Sequence, residues 1–467
     1  MKPALRQSMG LGDTALFLVV AVVSPRWIAS AAAVGPSALT IWLIALVSFL
    51  VPMAFAVIEL SSRHPEEGGI YEWTRSAFGD FAGFMTAWMY WVSNLVYFPG
   101  LLYFAVGNAL LIAGERGAAH SNDAALFIGA SLLGLALALV LNTVGLGVGK
   151  WLHNLGAIAT WIPVAMLIGL AGLAWRHAGS ATVFSASSLA PATGIRDMVL
   201  WSTIAFAFSG LEAASMLGGE ISQARRTVPR AIMIAGAAIT AIYVLGTAAV
   251  LVALPRQEAG ALQGFLQAID RAGRGAGLPA AGVVAAVFLT ASNIGGVGAW
   301  LAASARLPFV AGVDRYLPPA FGRLHPRWRT PVLALLVQGI GSAVFIVLGQ
   351  AGDTVKAAYE LLVGMGVITY FLPYLVMFAA LIRLQREPAG PEVWRVPGGS
   401  AMAVAMGLLG FTTTAISIVL ACLPPADARD PTLALLKVVG SSLALVAVGV
   451  WLYARGKARR SAGARVE

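Results

Sequence analysis

The chain has 467 residues, of which 59% are hydrophobic and only 11% are charged, and its formal net charge is +10. A soluble domain carries about 25% charged residues, so this composition excludes an ordinary soluble enzyme or binding module and indicates an integral membrane protein. The basic residues lie between apolar segments, which favours membrane orientation over nucleic-acid binding as their role, and we predict no nucleic-acid partner.

Twelve apolar segments have about the 20 residues that are needed to cross a bilayer. We predict spans at residues 13–34, 38–60, 81–112, 123–143, 151–175, 197–219, 228–253, 279–304, 331–349, 354–383, 401–423 and 431–453. Lys and Arg are about twice as frequent on the side of the N-terminus, which predicts a multi-pass protein of the inner (cytoplasmic) membrane with both termini cytoplasmic.

We expect residues 1–467 to form a single transmembrane domain. Its parts are a cytoplasmic N-terminus (1–12), a ten-helix core (13–383), helices 11 and 12 (401–453) and a basic cytoplasmic tail (454–467). Span 1 is interrupted at mid-depth, where its apolar run meets Ser24, Pro25 and Arg26. Proline removes a backbone donor and clashes with the preceding turn, so the sequence predicts a break or kink there.

The inner loop after span 2, residues 65–73 (PEEGGIYEW), holds three carboxylates beside a glycine pair. One interpretation is an inner gate, in which Glu67 and its neighbours pair with Arg63, Arg75 or the arginines after span 6. The alternative is an ordinary solvated loop with a tight glycine turn.

Two spans carry polar or aromatic residues at positions that suit a cavity. In span 3, Tyr90 and Asn94 lie one helical turn apart near mid-span, so we expect this polar face to look inward. In span 8, Trp300 follows a cluster of glycines that permit close helix approach. Trp300 is either the aromatic wall of a cavity or ordinary packing.

Span 6 contains the segment around which the rest is arranged, residues 205–219 (AFAFSGLEAASMLGG). Ser209, Gly210 and Glu212 fall within four residues; glycine weakens a helix, and a carboxylate at this depth costs about 2.5–3.5 kcal/mol. We interpret the segment as a helix broken at mid-membrane, whose freed peptide groups line a polar site. The alternative is a Gly-Ser packing notch with Glu212 pointing into the bundle.

The interruptions in spans 1 and 6 are five spans apart, which is typical of a transporter built from two inverted five-span repeats, 1–5 and 6–10.

The sequence does not indicate a pump, a metal site or an enzyme. No phosphate-cradling Gly-rich loop is found, and the five histidines have no metal-ligand spacing, so we predict no ATP-driven pump, metal site or cofactor. Nothing suggests a Ser-His-Asp site, and we expect no catalytic residues and no enzyme.

Spans 1–10 resemble the amino acid–polyamine–organocation transporters, and within them the bacterial amino-acid antiporters and permeases. The matching segments are residues 66–73 followed by FGD at 78–80, FSGLE at 208–212, TVPR at 227–230, SAR at 304–306 and DRYLP at 314–318. Together they cover most of the chain, and their order is much more specific than any one of them.

The resemblance implies an all-α, leucine-transporter-like fold with twelve transmembrane helices, helices 1 and 6 broken, and alternating access around a site at the two breaks. It implies that the α-carboxylate of an amino acid meets backbone amides at the span 1 break, and that the α-amino group meets carbonyls at both breaks. The residues that match family positions are Phe206 (aromatic gate), Ser209 and Gly210 (the break), Glu212 (its carboxylate), Tyr90 (span 3 tyrosine) and Trp300 (span 8 aromatic). Asn94 completes the expected substrate site, and Phe206, Glu212, Glu67 and Tyr90 are the expected gating residues.

One departure concerns span 1, where the family usually has a Gly-Ser-Gly type turn. Here the equivalent lies near Val23 and Ser24, followed by Pro25 and Arg26. Proline supplies no amide, so we hypothesise that Arg26 binds a substrate carboxylate directly. The alternative is an internal ion pair between Arg26 and Glu212.

We therefore expect a secondary amino-acid transporter, working as an antiporter or an ion-coupled symporter, with the substrate and the lipid bilayer as its partners. The alternatives are a polyamine or organic-cation transporter, or a non-transporting membrane amino-acid sensor. Some family members have a lysine in span 5, and residues 157–173 have none, which disfavours proton symport through such a lysine. The coupling ion (H⁺ or Na⁺) or counter-substrate and the oligomeric state stay open.

Overall fold

The structure is a computed structural model that describes residues 9–64, 69–144, 146–191, 193–216, 221–259, 262–305, 316–328, 330–388, 390–424 and 428–463. These residues form helices and connecting turns, and among them no strand is present beyond an isolated parallel bridge between Met9 and Ile221. The predicted all-α class is confirmed.

The helices are numbered here in chain order. They are α1 Leu11–Val22, α2 Pro25–Ala32, α3 Ser37–Ala45, α4 Val51–Arg63, α5 Ile70–Phe78, α6 Asp80–Leu110, α7 Glu115–Ala118, α8 Ala124–Val144, α9 Leu146–Ala178, α10 Ala186–Leu189, α11 Ile195–Ala207, α12 Ala213–Met216, α13 Ala224–Ala253, α14 Gly264–Gly275, α15 Ala281–Ser304, α16 Val332–Gln350, α17 Val355–Leu384, α18 Gly399–Ala421, α19 Pro431–Leu435 and α20 Ser441–Gly463. Two π-helical turns, Leu46–Leu50 and Leu436–Gly440, join α3 to α4 and α19 to α20.

Within the described residues, ten helices are long and apolar enough to cross a membrane, or eleven if α1 and α2 are counted as one span. The axes of α1 and α2 are bent by 48° at a short break. The predicted sixth span holds the shorter α11 and the four-residue α12, and it continues into residues outside the described part. The membrane-spanning helical fold is confirmed, and the count of twelve stays a prediction.

The long helix α6 is the scaffold of the bundle: it packs against α17, α15, α16, α8 and α5. The two halves of span 1 lie against α13, and α2 also contacts α11, which in turn contacts α17. The ends of α1, α2 and α11 therefore lie beside the long helices α13 and α17, and α17 packs on α6. This is the part of the fold that positions the site.

Helix α14 has the amphipathic pattern that predicts a cap on the outer surface. Its apolar side chains Phe265, Leu266 and Ile269 are fully buried, and the helix packs on α9, α15, α13 and α2. The apolar stripe therefore faces the protein, and α14 covers α2, the second half of span 1.

One of the pairings that the inner-gate interpretation allows, Glu72 with Arg75, is present among the described residues. Arg63 binds Glu59 of its own helix, at 2.8 Å, while Arg75 binds Glu72 and Asp80. Arg63 forms an ion pair with Glu59 because the two side chains lie one helical turn apart on the same face of α4. Glu67, the predicted gating residue of this loop, lies outside the described residues.

Candidate functional site

Two non-helical gaps mark the centre of the bundle. The first gap, residues 23 and 24, separates α1 from α2: Val23 is still hydrogen-bonded to Val19, Ser24 is extended, and Pro25 starts α2. Proline is suited to this first helical position because its missing N–H would have no helical partner there.

The second gap, residues 208–212, separates α11 from α12. Gly210 has a φ of +120°, a conformation that L side chains rarely adopt. A Cβ on Gly210 would lie 3.1 Å from Cγ2 of Val22, the last residue of α1. The two gaps therefore touch one another, and glycine is needed for both the backbone angle and the close approach.

Tyr243 of α13 connects the gaps and was not among the predicted site residues. Its hydroxyl lies 2.7 Å from the carbonyl oxygen of Val22 and 3.1 Å from that of Ala207, and it accepts the N–H of Ser24 at 3.3 Å. The ring is held by stacking on Trp42, with centroids 4.5 Å apart. Tyr243 could have been recognised as a phenol in the middle of an apolar span, because a buried tyrosine hydroxyl needs a hydrogen-bond partner.

Glu212 is fully buried at the end of the second gap and is contacted by phenols. Its Oε1 accepts hydrogen bonds from Tyr90 and Tyr370, both at 2.9 Å, and its Oε2 accepts the Gly210 N–H at 3.1 Å. Tyr374, one turn beyond Tyr370 on α17, places its hydroxyl 3.2 Å from the same N–H. The structure thus brings together the predicted Glu212, Gly210 and Tyr90, and adds two tyrosines, Tyr370 and Tyr374, that were not predicted.

Arg26 is the buried cation of the site. It is 2% exposed, its guanidinium carbon lies 4.0 Å from the Trp27 ring centroid and 4.5 Å from that of Tyr97, and its Nε has no hydrogen-bond partner among the described residues. No ion pair joins Arg26 to Glu212. Cation–π contacts stabilise a desolvated cation by about 2 kcal/mol, whereas burying an unpaired charge costs several kcal/mol. The site therefore holds a cation whose charge is incompletely compensated.

Phe206 lies between the Arg26 side and the Glu212 side of the site. Its ring makes edge contacts with Trp27 at 5.3 Å, Tyr370 at 5.6 Å and Phe371 at 5.4 Å. It also lines a small cavity together with Arg26 and Tyr97. The cavity volume is about 10 Å³, which is about the lower limit for one water molecule. The helices must separate before a larger molecule can enter.

The other predicted site residues have more local contacts. The Asn94 amide nitrogen donates to the Tyr90 carbonyl of its own helix at 3.1 Å, and Trp300 meets the edge of Tyr97 with centroids 6.4 Å apart. Ser209 Oγ is buried without a hydrogen-bond partner among the described residues. Trp300 thus borders the Arg26 side of the site, whereas the Asn94 amide is hydrogen-bonded to the backbone of its own helix.

The described residues contain no group of three or more His, Cys, Asp or Glu side chains that could hold a metal ion. The chemistry present is that of a binding site: peptide groups outside regular helix at two gaps, one carboxylate in a phenol cluster, one arginine, and aromatic walls.

Comparisons with known proteins agree on a family. The model of a family described as amino acid permease matches residues 9–452. Similar proteins include an uncharacterized transporter of Legionella pneumophila, which is 28% identical over 94% of each chain. A serine/threonine exchanger of Bacillus subtilis is 26% identical over 78% of this chain and 80% of its own. A probable agmatine/putrescine antiporter of Lactococcus lactis is 22% identical over 90% of this chain and 89% of its own.

A solved structure gives the same fold. The crystal structure of a manganese transporter of Eremococcus coleocola superposes with a TM-score of 0.57, covering 96% of this chain and 94% of that one, at 13% identity. At this identity the likeness concerns the fold alone.

Proposed function

This chain belongs to the amino acid permease family, and on that premise we propose that it transports amino acids across the cytoplasmic membrane by alternating access, as a secondary transporter. The observation that supports this most is the contact between the two gaps: Gly210 against Val22, with the Tyr243 hydroxyl on the carbonyls of Val22 and Ala207. Interrupted helices that face each other at mid-membrane supply the peptide groups that bind a zwitterion.

In this proposal the substrate ammonium binds the carbonyl oxygens of Val22 and Ala207. Each carbonyl oxygen has two lone pairs, so it can accept from the ammonium as well as from Tyr243. Val23, Ser24, Ser209 and Gly210 form the surrounding backbone, and Trp300 borders the substrate side chain. Asn94 shapes the α6 face beside Tyr90.

The gating roles follow from the positions of Phe206 and Glu212. Phe206 blocks passage from the Arg26 side to the Glu212 side. The hydrogen bonds from Tyr90 and Tyr370 to Glu212 tie α6 and α17 to the second gap. We propose that these bonds break and reform when the site changes its open side. Glu67 keeps its predicted role at the inner gate.

A second candidate is transport of amines, and the Glu212 cluster favours it. A buried carboxylate with tyrosines suits an organic cation, and one relative is named a probable agmatine/putrescine antiporter. Exchange fits both candidates, since another relative is named a serine/threonine exchanger. The third possibility, a sensor that binds but does not transport, is decided by the experiment below.

Uptake into sealed liposomes tests the function. Purified protein is reconstituted, the lumen is loaded with unlabelled amino acid, and entry of labelled amino acid is measured. We expect saturable uptake that depends on the internal amino acid or on an ion gradient. Binding without uptake in sealed vesicles would contradict transport and favour a sensor.

Gly210→Ala is the informative variant for this assay. The new methyl group meets Val22 and forces an unfavourable φ, which costs about 1–3 kcal/mol. We expect uptake to fall about tenfold or more. Gly169→Ala in α9 is the matched control, because its Cβ meets nothing within 4 Å, and it should transport normally. Equal activity of the two variants would contradict the assigned site.

A further inference from the structure

Helix α20 changes from apolar to basic within one turn. Residues 438–454 contain no charged side chain, whereas the next segment, 455–460 (RGKARR), contains four basic ones. A helix as long as this apolar run spans about 25 Å, close to the thickness of the hydrocarbon core of a bilayer. Trp451 and Tyr453 lie at the boundary, where aromatic residues are enriched in membrane proteins. The basic end of α20 is therefore expected at the level of the lipid headgroups.

One face of this end packs on the protein. The Tyr453 ring stacks on that of Tyr316, with centroids 4.9 Å apart. A Cβ on Gly456 would overlap the backbone of Tyr316, so the helix lies directly against that residue. The guanidinium carbon of Arg460 lies 4.9 Å from the Tyr316 ring centroid. Tyr453, Gly456 and Arg460 are spaced three and four residues apart, and the face that they share is therefore covered by the protein.

The opposite face points away from the protein. It carries Trp451, Arg455 and Arg459, which are each four residues apart and are all exposed. The guanidinium carbon of Arg455 lies 5.2 Å from the Trp451 ring centroid. Val448 lies on the same face nearer the middle of the span and is 45% exposed, as expected of a residue that faces lipid. We call Trp451, Arg455 and Arg459 the basic face of α20.

The arginines of the basic face have no carboxylate partner among the described residues. Helix α20 contains no Asp or Glu, and the ion pairs of the described residues involve neither Arg455 nor Arg459. Asp80, on the protein side of α20, binds Arg75 at 3.0 Å and accepts the Tyr316 hydroxyl at 2.7 Å. The basic face is therefore free to bind an anion that comes from outside the described part of the protein.

We propose that the basic face binds the phosphate group of an anionic membrane phospholipid. Basic residues that directly follow a membrane span attract anionic lipid headgroups, and the planar fork of an arginine fits two phosphate oxygens. The arginines lie one and two turns beyond Trp451, so they would hold the phosphate while the acyl chains lie along Trp451 and Val448. This site is separate from the two gaps and does not depend on which molecule is transported.

The test measures lipid binding by the purified protein in a neutral detergent. Phosphatidylglycerol and phosphatidylcholine with the same acyl chains are titrated, bound lipid is counted by native mass spectrometry, and thermal unfolding is followed in parallel. We expect phosphatidylglycerol to bind about tenfold more tightly and to raise the unfolding temperature more. Both differences should shrink at about 0.5 M salt, because the attraction is electrostatic.

The variant that tests the site combines Arg455→Gln with Arg459→Gln. Both side chains point away from the other helices, so the variant should unfold at the same temperature as the wild type in the absence of lipid. We expect its affinity for phosphatidylglycerol to fall about tenfold, to near that for phosphatidylcholine. The matched control combines Arg271→Gln with Arg274→Gln, two exposed arginines of α14 that already pair with Glu258 and Asp270. It should bind phosphatidylglycerol like the wild type.

Two results would overturn the proposal outright. They are equal binding of the two lipids by the wild type, and unchanged phosphatidylglycerol binding when Arg455 and Arg459 are replaced. Inorganic phosphate distinguishes a lipid from a soluble anion. We expect millimolar phosphate to leave the unfolding temperature unchanged, whereas stabilisation by phosphate equal to that by the lipid would also overturn the proposal and assign the basic face to a soluble anion.

Discussion

At the residue scale, the most consequential group is the hydroxyl of Tyr243. Tyr243 binds the backbone of both gaps, with the Val22 carbonyl at 2.7 Å and the Ala207 carbonyl at 3.1 Å. A phenol has one proton, so it donates to one carbonyl at a time, and the shorter distance favours Val22. Tyr243 therefore stabilises the ends of α1 and α11 before any substrate is present.

We predict that Tyr243→Phe lowers the free energy of unfolding by about 1–3 kcal/mol, because a buried carbonyl and the Ser24 N–H lose their partner. Thermal unfolding of the purified protein measures this. Tyr453→Phe is the matched control: Tyr453 packs on Tyr316, and its hydroxyl has no hydrogen bond among the described residues. Equal effects of the two variants would argue against the bridging role.

The sequence identified some site residues and missed others for a physical reason. Arg26 and Glu212 are recognisable because a charge inside an apolar span is costly and needs a cause. Tyr243, Tyr370 and Tyr374 are not, because an aromatic residue in a span usually serves packing, and its partner is decided by another helix. The contact between Arg26 and Tyr97 of α6 was not predictable for the same reason.

At the element scale, local rules predicted where helices end. Pro25 cannot continue the preceding helix, and α1 ends at Val22; Gly210 takes a positive φ, and α11 ends at Ala207. The sequence did not predict that Val22 and Gly210 touch, since contact between distant segments depends on the packing of α13 and α17 around them.

The last predicted span, residues 431–453, is fixed by a buried ion pair. Lys437 lies in a π-helical turn and binds Asp353 at 2.9 Å, and its ammonium also donates to the carbonyls of Gly349 and Ala351 at the end of α16. Both side chains of the pair are almost fully buried. Removing one partner leaves an uncompensated charge in the interior, which costs about 3–5 kcal/mol.

We therefore predict that Lys437→Met destabilises the protein by about 3–5 kcal/mol in thermal or denaturant unfolding, and that adding Asp353→Asn restores part of the loss. The comparison is Arg271→Met, which breaks an ion pair with Glu258 of similar length but exposed to solvent. That change should cost less than about 1 kcal/mol. A similar loss in both single variants would mean that burial of the Lys437 pair has no special effect.

At the scale of the whole molecule, the site is closed in this structure. On one side the Ser222 N–H donates to the Met9 carbonyl at 2.9 Å, which ties the segment after span 6 to the start of span 1. On the other side α14 covers α2, and Arg256 binds Asp197 at the start of α11. Alternating access requires that one of these two sets of contacts opens at a time.

The predicted orientation has a direct test. The chain has one cysteine, Cys422, so a Cys422→Ser background accepts single probes. We expect Lys457→Cys to react with a membrane-impermeant maleimide only after cells are permeabilised, and Arg116→Cys to react in intact cells; both positions are exposed. The reverse pattern would place the termini outside.

The overall fold was predictable because the length of an apolar span follows from the thickness of the bilayer. Ten of the predicted spans correspond to long apolar helices, and the bent pair α1 and α2 makes an eleventh. The substrate was not predictable in the same way, because it depends on how Arg26 and Glu212 are placed relative to the two gaps in three dimensions.

We propose that the two gaps together hold the transported amino acid, and a structure of the purified protein with that amino acid bound tests this. We expect ligand density between residues 22–26 and 207–212, with the substrate carboxylate at Arg26 and its ammonium at the carbonyls of Val22 and Ala207. Density elsewhere in the bundle, or continuous helix through Pro25 and Gly210, would contradict it.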